Sequence, residues 1–235
     1  MPYKRVLVLA NSIKKGGRCV AGRETSTGES GKVGAWLRPI SDAPEGELLP
    51  KHMTLEGGGQ LRPLDVVDIP VTEHAGDPLH PEDWRVTDEH WRFVETCSPE
   101  MLLSLVERPP SLWLQAGRPS DRVSTEFLQA LNAGQSLYLI RPQNFRLRYW
   151  REFNTFRGYV QKKTRALFNY NGVAYDMSFT DPKATAEYCG AYPTEDEPAK
   201  EITTPCGDHC VLCVSLTPPL NGTHYKVVAT LLPLP

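Results

Sequence analysis

No stretch of the 235-residue chain approaches eighteen consecutive apolar residues, so no membrane-spanning helix can be read from it. The amino-terminal segment MPYKRVLVLANSIKK has an apolar run of only five or six residues, with no small-residue cleavage site after it. A signal-peptide core is longer, and the run is expected to be a first β-strand. Catalytic signatures are missing too. Neither H-E-x-x-H, G-x-S-x-G nor D-x-D-x-[DN]-G occurs, and the GxxxxGK[ST] phosphate loop is absent. The six cysteines form no paired C-x2-C knuckles. A cytoplasmic protein with reduced thiols and no membrane association is the expectation. In that compartment the Asn221-Gly222-Thr223 sequon has no meaning. No internal repeat is visible at the level of identity.

What the chain does have is one dense basic and aromatic window, Arg141 to Arg165. It holds eight Lys or Arg against a single acid, Glu152. Phe145, Tyr149, Trp150, Phe153, Phe156 and Tyr159 are interleaved with them. Cations neutralise phosphates and rings stack on bases, so the mixture suits single-stranded or unpaired nucleic acid. The competing reading is a solvated basic strand whose rings feed the core. The net charge of −2 conceals strong segregation: residues 1–38 carry +6, 39–140 carry −10, 141–165 carry +7 and 166–235 carry −5. If the two basic segments fold side by side, they make one positive groove.

Twenty-one prolines and eighteen glycines separate short β-branched and aromatic runs. Strands are expected at Lys4–Ala10, Arg18–Arg23, Gly34–Ile40, Leu64–His74 and Trp91–Thr96. A polar loop, Thr25–Lys32, lies between the second and third. Ser98-Pro99-Glu100 reads as a helix start, with Met101, Leu102, Leu105 and Val106 at helical spacing until Pro109-Pro110. Ser124–Leu131 reads as a second short helix. Strands return at Ser136–Arg148, Tyr159–Phe168 and Val173–Phe179, the last two flanking an Asn171-Gly172 turn. Asp181-Pro182 opens a helix through Tyr188, residues 193–208 form an acidic loop, and His209–Leu216 and His224–Leu232 close the chain. The fold class is therefore mainly β with minor α. Two OB-like β-barrels, 1–97 and 134–235, are joined by a helical connector at 98–133.

The pieces KRVLVLANSIKKGGRCVAGRE, WLRPIS, YDMSFTDP and CVSLTPPLNGTHYKVVATLL give the chain a resemblance to the dual OB-containing domain family of prokaryotes. The likeness covers roughly 4–41 and 136–232. It implies a place in prokaryotic conflict and defence loci, protein partners from a defence operon, and nucleic-acid binding through OB folds.

Further constellations can be weighed residue by residue. The turn Ser12–Cys19 carries Lys14, Lys15 and Arg18 beside two glycines, which suits an anion or an ordinary hairpin. Trp36 and Arg38 share a strand face. Trp36 reads as core and Arg38 as a ligand contact. The expected nucleic-acid contacts are thus Lys14, Lys15, Arg18, Arg38, Arg146, Arg148, Trp150, Arg151, Arg157, Lys162, Lys163 and Arg165. On a regular strand Phe145, Leu147, Tyr149 and Arg151 face one way, and Arg146, Arg148 and Trp150 the other. Cys206, His209, Cys210 and Cys213 hint at zinc, but Cys210 and Cys213 should point to opposite faces of a strand. No cofactor is expected. Asp65 and Asp68, with the exposed-looking pairs Glu82-Asp83 and Asp88-Glu89 and with His74, His80 and His90 nearby, could hold Mg²⁺ in a metal-dependent nuclease. The reading favoured is binding without catalysis. The alternatives are a PUA-like modified-base reader, a protein-interaction adaptor in a defence complex, and that nuclease.

Overall fold

An apolar run without alternation needs cover on both faces of its strand, and β1 (Tyr3–Lys14) has it. In this computed structural model, which describes residues 2–26, 33–155 and 157–235, Val6 and Val8 enter one core while Leu7 and Leu9 enter another. The strand then serves two barrels at once. Strands β2 (Gly17–Thr25) and β3 (Val33–Ile40) continue an antiparallel meander from β1. The turn chemistry of 27–32 lies outside the described residues. Gly22 is required where β1 and β2 cross, because a Cβ there would lie 2.1 Å from the Leu7 carbonyl oxygen. A 3₁₀ turn, Pro50–His52, precedes β4 (Asp65–His74). Two short strands follow, β5 (Asp83–Val86) and β6 (Arg92–Thr96). The ring order is β1-β2-β3-β5-β4, closed by antiparallel pairing of β4 with β1, and β3 runs parallel to β5. That is the connectivity of a five-stranded Greek-key OB barrel.

The connector is less helical than its spacing suggests. A 3₁₀ turn, Pro99–Met101, runs into one helical turn, α1 (Leu102–Leu105), and the Ser98 side chain makes no capping bond. The chain leaves helix at Val106, where Glu107 is drawn to β-structure: its amide donates to Leu139 O at 2.7 Å and its carboxylate accepts from Trp36 Nε1 at 3.0 Å. Strand β7 (Arg122–Ser124) leads into α2 (Thr125–Leu131), capped by Ser124 Oγ accepting from Phe127 N at 3.2 Å. Leu102 and Leu105 pack in the core between the barrels, and Leu112, Trp113, Val123 and Leu128 in the second barrel.

The second half repeats the first. The stretch expected as one strand at 136–148 is broken by Arg141-Pro142 into β8 (Leu137–Ile140) and β9 (Gln143–Asn154), since proline has no N–H for a ladder. The break lets β8 pair with one side of the barrel and β9 with the other. Strands β10 (Tyr159–Tyr170) and β11 (Val173–Phe179) follow, joined by Asn171 and Gly172 at φ 49° and 76°. Next come α3 (Pro182–Tyr188), the small β12 (Lys200–Ile202) inside the acidic loop, β13 (Cys210–Leu216) and β14 (Thr223–Pro233). The order is β12-β9-β10-β11-β14-β13-β8, with β11 and β14 parallel. Because β8 and β9 are one interrupted crossing, the sequence of pairings matches the first barrel. Asp181 caps α3 through Ala184 N and ties it to β14 through Leu231 N, each at 3.0 Å. No helix is long and apolar enough to cross a membrane.

Inside the second barrel Lys226 is fully buried, and its ammonium has no hydrogen-bond partner among the described residues. Burial pushes its pKa down to about 8, against an ordinary 10.5. The unfolded chain therefore binds the extra proton between those values, and stability should rise with pH across that window. Lys226→Met is expected to stabilise the fold by about 1–3 kcal/mol near pH 7, by removing an unpaired buried charge. Chemical denaturation at pH 7 and above pH 10 checks this: the advantage of the variant should shrink at the higher pH.

Candidate nucleic-acid interface

The basic window folds as the long β9–β10 ribbon, with Arg148 opposite Arg165, Trp150 opposite Lys163 and Arg151 opposite Lys162. Phe145, Leu147 and Tyr149 point into the barrel, while Arg146, Arg148 and Trp150 point out. Arg151, grouped with the inward set by alternation, is only half-buried, because the ribbon has run past the core at that level.

On the outer wall most of the expected positive charge is already matched. Arg146 pairs with Glu201 at 3.1 Å. The like-charged cross-strand neighbours Arg148 and Arg165 are reconciled by Asp176, whose Oδ2 lies 2.6 Å from Arg148 Nη2 and whose Oδ1 lies 2.6 Å from Arg165 Nε, and Arg165 also reaches Asp121 at 2.7 Å. Lys163 lies 3.5 Å from Glu152. Burial opposes ionisation of Glu152, but hydrogen bonds from Trp150 and Gln161 and the charge of Lys163 hold its carboxyl below the ordinary range. The Trp150 ring is half-buried, with the Arg148 guanidinium 5.7 Å from its centroid.

The far end of the ribbon differs. β12 pairs with β9 only from Leu147 to Tyr149, and β11 pairs with β10 only from Arg165 onward. Beyond those points the hairpin has no neighbouring strand. There Arg151, Arg157 and Lys162 have no ion pair among the described residues. Phe153 is 55% exposed and Tyr159 49%. Arg157 donates to the Tyr159 hydroxyl at 3.0 Å, and Lys162 lies over the Tyr192 ring at 5.1 Å. Phe156 lies outside the described residues. Tyr192 has no signal in the window's own sequence; its position is set by the loop after α3.

The amino-terminal basic segment does not join this surface. Among the described residues no hydrogen bond or ion pair links 2–38 with 141–165. Four of its cations are ion-paired away from the ribbon: Lys4 with Glu24, Arg5 with Asp68, Arg23 with Glu107, and Lys15 with Glu45. Lys14 donates to the Glu45 carbonyl oxygen, and Arg18 is held by main-chain bonds to Leu48. Arg38 requires a correction. It is 3% exposed, with Nε donating to Asp83 Oδ1 at 2.6 Å and Glu82 3.8 Å away. Burial opposes its charge, yet the two carboxylates outweigh that and hold it more firmly protonated than a free arginine. It is an inter-barrel anchor. The exposed-looking pair Glu82-Asp83 is likewise buried, because it faces Arg38. Trp36 is core.

Cys210 lies in the second-barrel core and Cys213 in the core between barrels, on opposite faces of β13. Burial pushes both thiols up. His209 bonds the Pro235 carbonyl oxygen at 2.7 Å, and Cys206 lies 3.2 Å from the Thr204 hydroxyl. Among the described residues no three His, Cys, Asp or Glu side chains converge as a metal-holding group. Of the carboxylates considered for Mg²⁺, Asp68 is paired with Arg5 and Asp88 with Lys51 and His52.

Two five-stranded barrels of one connectivity, fused through a common core, define a double OB protein. A family model described as the dual OB-containing domain matches residues 4–231, and the chain belongs to that family. Searches of curated proteins and of solved structures returned no match.

The two faces of β9 can be separated by mutation. Tyr149→Ala opens a cavity beside Tyr192 and is expected to cost about 3–5 kcal/mol in chemical denaturation. Trp150→Ala should cost far less stability and instead weaken oligonucleotide binding by roughly 1–3 kcal/mol, the worth of one base stack. The opposite pattern in melts and anisotropy would invert the assignment.

Proposed function

We propose that the protein binds single-stranded or unpaired nucleic acid through the free end of the β9–β10 hairpin, without catalysing a reaction on it. The observation that carries this reading is the coincidence, on one projecting ribbon, of three cations without acidic partners and several exposed rings. Arg151, Arg157 and Lys162 supply the charge for phosphates; Phe153, Tyr159 and the open side of Trp150 supply surfaces for bases. The hairpin is the connection between the first two strands of an OB barrel, a loop that in this fold contributes to oligonucleotide grooves. The setting proposed, following the family resemblance, is a cytoplasmic prokaryotic defence system. An adaptor role draws on β6, which pairs only with β4 and exposes Phe93 and Val94.

Fluorescence anisotropy with single-stranded DNA, RNA and duplex oligomers, titrated with salt, checks the reading. Three phosphate contacts on a single strand should give a log–log slope of about −2. Arg151→Glu, Arg157→Glu and Lys162→Glu together should abolish binding and leave the melting temperature nearly unchanged, since none of the three has an ion pair to lose. Salt-independent binding, or a triple variant with undiminished affinity, would sink it.

A further inference from the structure

We propose that the cleft between the two barrels is a separate site for a small organic anion of nucleoside-monophosphate size. The cleft encloses about 310 Å³, the lower end of the range for small-molecule pockets. Its walls come from both barrels: Ala10 and Ala21 on β1 and β2, Leu137 on β8, and Val227 and Ala229 on β14. Small side chains on facing strands leave a slot suited to a flat ring.

The three cations and three carboxylates around it are unevenly paired. Lys15 is matched by Glu45, and Arg38 by Asp83 and Glu82. Lys14 is left over. Its ammonium reaches only the main-chain carbonyl of Glu45 and has no carboxylate within ion-pair distance among the described residues. Burial lowers its pKa and the Arg38 charge adds to the effect, while the Asp83 and Glu45 carboxylates oppose it from beyond ion-pair distance. Nearby, Arg38 Nη2 is buried with no hydrogen-bond partner, 3.8 Å from Glu82 Oε1, while Nε and Nη1 are fixed on Asp83 and the Leu216 carbonyl oxygen. Ser12, Thr217 and Tyr225 add polar groups to the lining. A phosphate on Lys14 would give the ammonium the anionic partner that the described residues do not place within ion-pair distance, and the slot behind it would take a base and sugar, not a dinucleotide. A free mononucleotide and the phosphorylated end of a strand present this same chemistry. The site shares no residue with the β9–β10 hairpin and does not depend on it.

Thermal shift and calorimetry on the full chain would use the four common nucleoside 5′-monophosphates, their nucleosides and inorganic phosphate. At least one monophosphate is expected to raise the melting temperature and bind at least tenfold more tightly than its nucleoside or phosphate alone. Lys14→Gln should lose at least tenfold in that affinity, while Lys14→Arg keeps most of it. Both should still bind single strands through the hairpin. On the unmodified protein the nucleotide should slow alkylation of Cys19, which lines the cleft, as read by mass spectrometry. A 5′-phosphorylated oligomer that gains Lys14-dependent affinity over its 5′-hydroxyl form would make the strand end the source; no such gain would leave the free nucleotide. The proposal is overturned if no monophosphate shifts the melt or protects Cys19 at millimolar concentration, if phosphate alone binds as well, or if Lys14→Gln binds undiminished.

Discussion

The apolar layer between the barrels is the constraint on which the rest depends. Fifteen buried residues form it, drawn from β1, β2, β3 and β4, from α1, and from β8, β13 and β14. At about 1.5–3 kcal/mol for each large side chain removed from water, the layer contributes tens of kcal/mol before entropy is counted. Separating the barrels would return that face to water. The strands at the seam must accordingly be apolar on both sides. Val6 and Val8 fill the first barrel while Leu7 and Leu9 fill the seam; Leu212 and Val214 fill the second barrel while Val211 and Cys213 fill the seam. Cysteine at 213 is explained by this packing.

The seam also decides which charges are buried. Arg38 is carried to the junction by β3, and β5, running parallel beside it, brings Asp83 and delivers Glu82 just before its own start. The guanidinium then binds across to the Leu216 carbonyl oxygen at 3.3 Å, and Glu82 hydrogen-bonds the Ser136 hydroxyl. Removing one partner of such a group leaves an uncompensated buried charge, which is strongly destabilising. This cluster fixes the relative placement of the barrels and, with it, the shape of the cleft.

Much of this was legible in the chain. Continuous and alternating apolar runs located most strands, Asp181-Pro182 and Asn171-Gly172 marked a helix start and a turn, and the alternation through Phe145, Leu147 and Tyr149 gave the buried face of β9. What failed shares a cause. β5 is four residues among acids, recognisable as a strand only because Arg38, forty-five positions earlier, neutralises Asp83. The break at Pro142 serves a barrel closure defined by β13. The outer-wall cations looked free because the acids that meet them, Glu201, Asp176 and Asp121, lie far along the chain. Charge segregated in sequence was dispersed by strand pairing.

That dispersal explains where a ligand surface can survive. Along the ribbon the neighbouring strands bring acids beside the cations: Glu201 of β12 meets Arg146, and Asp176 of β11 meets Arg148 and Arg165. β11 and β12 stop before the β9–β10 hairpin does, and the hairpin cations without an ion pair, Arg151, Arg157 and Lys162, lie beyond their ends. A free two-stranded ribbon has little stability of its own, and nothing apolar covers its exposed rings. Arg151, Arg157 and Lys162 have no ion pair among the described residues, and Phe153 and Tyr159 stand exposed beside them. The partner proposed, a flexible polyanion with flat faces, would engage both kinds of group, which is why the proposed function is placed at the end of the ribbon and not on its wall.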